Sequence, residues 1–241
     1  VSTANDPWLY RDACDSFGYD LYPFERDGYF GPALSLDFHR TQVGDKDIIF
    51  LETNMCFKRP NLVEQNELDI NRLYWPAILR GLKGMYFYVW NQPWSKDHRG
   101  YWLCQLDGVL TKPGRSAVRL AKAFQTLAPV LKSGKPLPAQ VAVYYPWAEV
   151  SQTPNVAPIN AVRGAYKLLT QAHYPTDIIS YHNILQGDLS KYKALVLPLT
   201  RHLRPDVAEK IKAFVAGGGL LIADQQAGFY DQYHRESKSL E

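Results

Sequence analysis

The stretch Ile48-Ile49-Phe50-Leu51-Glu52-Thr53-Asn54 decides how the first half of the chain is read. Four consecutive apolar residues fit a buried strand of a parallel sheet, and the carboxylate that follows them emerges at the sheet rim. Residues 17–22 (FGYDLY) and 84–90 (GMYFYVW) read as strands of the same kind. Between the second and third lie residues 67–82, where Leu68, Leu73, Ile78, Leu79 and Leu82 recur at roughly helical intervals and predict a crossover helix. The pattern is the αβ alternation of a parallel sheet. Each strand ends in polar or aromatic residues, namely Tyr22-Pro23, Glu52-Thr53-Asn54 and Trp90-Asn91-Gln92, where α/β proteins place their chemistry.

A second predicted helix, residues 116–131, runs into Lys132-Ser133-Gly134-Lys135-Pro136-Leu137-Pro138, a stretch with linker character that marks a domain boundary. Beyond it the pattern restarts: strand 140–145, helix 160–172, strands 177–181 and 194–198, helix 206–216 and strand 220–223. That order predicts an open, doubly wound α/β layout.

Glu52 carries the sharpest chemical expectation. Burying a charge is expensive, so a carboxylate at this position is either a nucleophile or general acid/base, or a strand-end group held by backbone amides or an Arg. Position alone leaves both readings open. Trp90 offers an indole face for a sugar ring, with the Asn91 and Gln92 amides beside it for hydroxyls; the alternative for Trp90 is core packing. Tyr22 either donates its phenol to Glu52 or caps the core.

Composition excludes several classes. The 241 residues carry a formal net charge of only +3, with the basic residues scattered, so no nucleic-acid surface is expected. No run approaches the ~20 apolar residues of a membrane span. Cys14, Cys56 and Cys104 are odd in number and widely spaced, which predicts buried thiols and neither a disulfide framework nor a zinc site. His39, His98, His173, His182, His202 and His234 show no paired metal spacing, and no metal or cofactor is expected. Asn66-Glu67 reads as a helix start, and Gly217-Gly218-Gly219, which precedes a strand, as a helix stop. A flavin phosphate loop after the 140–145 strand would have Ser151-Gln152-Thr153 for hydroxyls but no glycine, and with every cysteine before residue 105 no thiol nucleophile is available to an amidotransferase reading. The opening Val1-Ser2-Thr3-Ala4-Asn5-Asp6, without Met or a signal pattern, and the closing Ser239-Leu240-Glu241 both read as cuts.

The order Tyr19-Asp20-Leu21-Tyr22-Pro23, Phe50-Leu51-Glu52-Thr53-Asn54, Gly84-Met85-Tyr86-Phe87-Tyr88-Val89-Trp90-Asn91-Gln92 resembles the sixth, seventh and eighth barrel strands of the β-galactosidases of glycoside hydrolase family 42. Gln140-Val141-Ala142-Val143-Tyr144-Tyr145-Pro146-Trp147 and Phe214-Val215-Ala216-Gly217-Gly218-Gly219-Leu220-Leu221-Ile222 resemble the amidotransferase-like trimerisation domain of that family. The resemblance implies a partial (β/α)8 TIM barrel over residues 1–134, then a flavodoxin-like or class I amidotransferase-like doubly wound domain over 139–241, cut short. It implies a retaining hydrolase of β-galactosides or related β-glycosides, with Glu52 as nucleophile and Trp90 lining the subsite for the non-reducing sugar. The acid/base Glu of the fourth strand has no matching position, so the segment alone is expected to be inactive. The expected partners are a β-glycoside or oligosaccharide and either further copies of the chain, as a trimer, or a chain carrying the remaining strands. A cytoplasmic location is implied. The alternative from the residues is a non-catalytic carbohydrate-binding or assembly module.

Overall fold

The computed structural model describes residues 6–22, 28–53, 57–58, 63–91, 102–152 and 156–241. It divides into two compact units.

The first unit comprises Cys14–Leu36 and Asp45–Pro136. Its sheet holds strands β1 (Ser16–Leu21) and β2 (Asp47–Thr53), joined by helix α1 (Gly31–Val43), with a small antiparallel pair, β3 (Phe57–Lys58) and β4 (Val63–Glu64), following. Helix α2 (Glu67–Ile78) then leads to strand β5 (Gly84–Phe87), and helix α3 (Lys112–Ser133) closes the unit. The order β1-β2-β5 is parallel throughout, as the alternation predicts. The α2 start is dictated locally. Asn66 Oδ1 accepts from the Asp69 amide at 2.9 Å, and the Asp69 carboxylate accepts in return from the Asn66 amide, a reciprocal cap that satisfies two orphan donors. Thr111 caps α3 in the same spirit, its hydroxyl accepting from the Gly114 amide at 3.1 Å, with Pro113 in the first turn where its missing N–H costs nothing.

The buried face of this sheet carries Ile48 and Phe50, and α2 buries Ile70, Leu73, Tyr74, Ala77 and Ile78. The other face does not close: Leu51 and Tyr86 are more than half exposed. The strand predicted as uniformly buried is therefore covered on one side only. Exposure alternates along it, with Ile48 and Phe50 buried and Leu51 more than half exposed, as the period of a strand with one covered side gives.

The second unit comprises Val1–Ala13, Asp37–Gly44 and Leu137–Glu241. Its elements are β6 (Val141–Tyr144), α4 (Trp147–Gln152), α5 (Ala157–Gln171), β7 (Thr176–Ile179), α6 (Tyr181–Leu185), β8 (Ala194–Leu197), α7 (Pro205–Ala216) and β9 (Leu220–Ala223). The four strands pair in parallel in the order β7-β6-β8-β9. Every residue of β6 is buried, as expected of a central strand of a parallel sheet, whereas edge strand β9 leaves Leu220 and Ile222 exposed. The core gathers Ala142, Tyr144, Ile179, Leu195, Leu197 and Ile211, with Leu240 packed against it.

Within this unit the segment Asp37–Gly44, which is the end of α1 and the residue after it, makes polar contacts. Arg40 Nη2 meets Asp177 Oδ1 at 2.7 Å, Tyr166 donates to Asp37 at 2.6 Å, and Asn183 Nδ2 donates to the Thr41 carbonyl at 2.8 Å. The helices over 31–43, 147–152 and 181–185 were not singled out from sequence. The last two are only 6 and 5 residues long, too short for a periodic signal.

Candidate active site

The site is assembled at the carboxyl ends of β1, β2 and β5. Strand β2 carries one residue more than either neighbour at the same place. Tyr19 pairs with Phe50 but Asp20 pairs with Glu52, and Phe50 pairs with Met85 while Thr53 pairs with Phe87. Leu51 is the extra residue, a bulge seen from both sides.

Strict alternation from Ile48 and Phe50 would put residue 52 on the same helix-covered face. The bulge advances the phase by one, so that Thr53 takes the buried position, at 0% exposure, and Glu52 is left half-buried. Tyr22, directly after β1, donates its phenol to Glu52 Oε1. Of the two partners suggested by sequence for a bland carboxylate, backbone amide or Arg, neither holds Glu52 among the described residues; the Tyr22 phenol does.

Trp90 follows β5. Its carbonyl accepts from the amides of Leu103 at 3.0 Å and Cys104 at 2.7 Å, while Asn91 bridges Cys104, so the backbone on both sides of the indole is fastened to a buried segment. The indole is 55% exposed, so Trp90 is not packed in a core. Tyr22 is likewise 41% exposed and does not cap a core. Gln92, Cys56 and Thr153 lie outside the described residues. Of the other thiols, Cys104 is buried as expected, but Cys14 is only partly covered.

Sequence reasoning named Thr53 only as part of the strand end and missed Tyr74; the two hydroxyls meet at 2.8 Å. It also missed a carboxylate–imidazole chain in the second unit. Glu149 Oε2 lies 2.6 Å from His202 Nδ1 and accepts the His202 amide at 3.0 Å; His202 Nε2 lies 2.7 Å from His234 Nδ1. Glu149 and His202 follow β6 and β8, neighbouring strands at the point where the strand order reverses, and that strand-end placement was the available signal. The crevice is covered by the segment around Tyr230, whose ring stacks on both imidazoles. Among the described residues no group of three metal-ligating side chains converges, and no helix is long and apolar enough to cross a membrane.

Comparison with known proteins gives three findings. Residues 139–239 match the family model of the β-galactosidase trimerisation domain. β-Galactosidase Pbg of Clostridium perfringens is 23% identical over 94% of this chain and 35% of its own length; β-galactosidase BglY of Alicyclobacillus acidocaldarius is 24% identical over 93% and 34%. The chain thus spans about a third of the length of these relatives. Among solved structures, Gan42B, a family 42 β-galactosidase of G. stearothermophilus, superposes with a TM-score of 0.80 at 17% identity, covering 98% of this chain and 36% of that one. The β-galactosidase of Rahnella sp. R3 gives 0.80 at 22% identity, covering 96% and 36%. Residues 139–239 thus match the β-galactosidase trimerisation domain, and the chain as a whole is similar, in sequence and in fold, to a segment of family 42 β-galactosidases.

Proposed function

We propose that the parent protein hydrolyses β-galactosides or related β-glycosides with retention, through a glycosyl–Glu52 intermediate. The observation that carries the reading is the placement of Glu52: a half-buried carboxylate turned out of the helix-covered face at the strand rim and held by the Tyr22 phenol. A Glu52 oxygen forms the bond to the anomeric carbon as the bond to the leaving oxygen breaks. That oxygen takes its proton from a second carboxyl, which must stand about 5 to 5.5 Å from the first. Water then displaces Glu52, giving its proton back to the same second carboxyl. Tyr22 fixes the carboxylate rotamer by a hydrogen bond. Trp90 stacks on the C–H face of the non-reducing sugar, and Asn91 and Gln92 bind hydroxyls.

The second carboxyl belongs to parts of the parent outside this segment, so the segment alone is inactive. In this reading residues 1–134 are the last strands of a (β/α)8 barrel and 139–241 an amidotransferase-like domain that assembles the parent as a trimer. Supporting the first point, β1 and β5 are edge strands, and an apolar cleft of about 350 Å³ lined by Ile49, Met85, Leu120 and Phe124 runs beside β5, where a further strand and helix would pack. Residues 139–239 support the second through their match to a trimerisation domain. A Glu52→Gln substitution in the full-length enzyme tests the assignment: turnover is lost while folding and assembly persist. Retained turnover leaves Glu52 as a hydroxyl-binding group only.

A further inference from the structure

We infer that Thr53 and Tyr74 are positioning residues for the reaction, pinning the Leu51 bulge so that Glu52 keeps its aim. The inference rests on the reading of Glu52 as nucleophile.

A bulge re-aims a side chain, but the extra residue it carries is unpaired and the ladder around it is weakened. Left to itself, the end of β2 has two phases available. In one, Glu52 stands on the open face. In the other, the extra residue is absorbed further along and Glu52 turns toward the helices. A one-residue slip exchanges the two faces of a strand, so the difference is all or none for the residue concerned.

Three contacts select the first phase. Thr53 Oγ1 and Tyr74 Oη lie 2.8 Å apart, and both residues are at 0% exposure, so neither hydroxyl has water as an alternative partner. Tyr74 belongs to α2, which reaches the strand from beneath. The amide of Tyr88 donates to the Thr53 carbonyl at 2.8 Å, fixing the same residue from the β5 side. The extra residue itself is accommodated by a glycine: a Cβ placed on Gly18 would lie 2.5 Å from Leu51 Cγ. Of these, the hydroxyl pair is the contact made by side chains alone, and it is specific to the observed phase. If residue 53 rotated off the buried face, the Thr53–Tyr74 hydroxyl contact would be lost at a site with no exposed surface. The pair touches neither the sugar nor the reacting atoms. It acts through the backbone between Thr53 and Glu52.

The test is the rate at which a 2,4-dinitrophenyl 2-deoxy-2-fluoro-β-galactoside labels the Glu52 peptide of the full-length enzyme, followed by peptide mass. Thr53→Val and Tyr74→Phe are each expected to slow labelling by about 10- to 100-fold, since a misplacement of about 1 Å costs about that much. KM for an aryl galactoside should change little, because the sugar contacts are untouched. Thr53→Ser, which keeps the hydroxyl, should label at close to the unsubstituted rate. A single variant breaks a buried hydroxyl contact from one side and can lose stability for that reason alone, so the double variant Thr53→Val with Tyr74→Phe is included. It removes both polar groups, restores stability, and should still label slowly, no slower than the slower single variant. Labelling at the unsubstituted rate in a folded single or double variant overturns the inference while leaving Glu52 as nucleophile. Label on a carboxylate other than Glu52 in the unsubstituted enzyme overturns the nucleophile assignment itself and the inference with it.

Discussion

Replacing Gly114 with alanine tests whether the segment that anchors Trp90 is seated on α3 as described. Gly114 is in the first turn of α3, and a Cβ built there would lie 2.0 Å from the Leu103 carbonyl oxygen and 2.9 Å from its carbon. An unstrained carbon–oxygen approach is about 3.3 Å, so either the helix start or Leu103 must move by more than 1 Å. Neither is free. Leu103 O accepts from the Thr111 amide at 2.9 Å and the Thr111 hydroxyl at 3.0 Å, while the Leu103 amide donates to Trp90. Overpacking costs about 1 to 3 kcal/mol and a disturbed cap about 1 kcal/mol, against a gain of about 1 kcal/mol for alanine over glycine in a helix. The net is a destabilisation of about 2 kcal/mol, or roughly 4 to 8 °C in thermal midpoint for a chain of this size. Gly164, in the middle of α5, is the control: a Cβ there meets nothing within 4 Å, so Gly164→Ala should stabilise by about 0.5 to 1 kcal/mol. Thermal unfolding of both variants gives opposite signs if the packing is right. A Gly114→Ala protein as stable as the Gly164→Ala one would refute the reasoning.

Trp90→Ala in the full-length enzyme should raise KM for an aryl galactoside about 10-fold, the loss of about 1 to 1.5 kcal/mol of stacking, with little change in thermal midpoint because the indole is mostly exposed; an unchanged KM contradicts the platform role. Glu149→Ala removes the acceptor of two buried His202 N–H groups and should cost about 2 to 4 kcal/mol in urea unfolding, whereas His234→Ala, at the exposed end of the chain of contacts, should cost under about 1 kcal/mol; equal costs would contradict the burial pattern. Burial pushes the phenols of Tyr144 and Tyr145 well above the ordinary tyrosine range, and burial beside Asp177 does so for Tyr192. Because the folded values are raised, the stability they contribute is present below the unfolded value of about pH 10 and is lost as pH rises through the folded values. Phenolate absorbance of these three should therefore emerge only together with alkaline unfolding, and a gradual titration in the folded protein would count against it.

The strands and long helices were legible because their signals are local. Four apolar residues before Glu52, the Asn66 cap and the glycines after α7 each state their structure within a few positions, and the structure forms the strand, the cap and the helix stop there, with Leu51 left exposed where a buried residue was read. Glu52 and Trp90 were singled out for the same reason, as polar or aromatic residues closing apolar runs. The Leu51 bulge was not. It is defined by a mismatch in count between β2 and two other strands, information that no window of one strand contains. The pairing of Thr53 with Tyr74 was hidden likewise, because each is an unremarkable residue until the fold brings a strand end and a helix 21 positions away into contact. The polar ties of Asp37–Gly44 to residues 166–183, some 130 to 140 positions away, belong to the same class.

The central claim is that Glu52 is the atom donor to the anomeric carbon, and trapping tests it most directly. The full-length enzyme, incubated with a 2-deoxy-2-fluoro aryl β-galactoside and digested, should show one fluorogalactosyl group on the peptide containing Glu52, and none in Glu52→Gln. A stoichiometric label on any other carboxylate, or undiminished turnover by Glu52→Gln, would contradict the account.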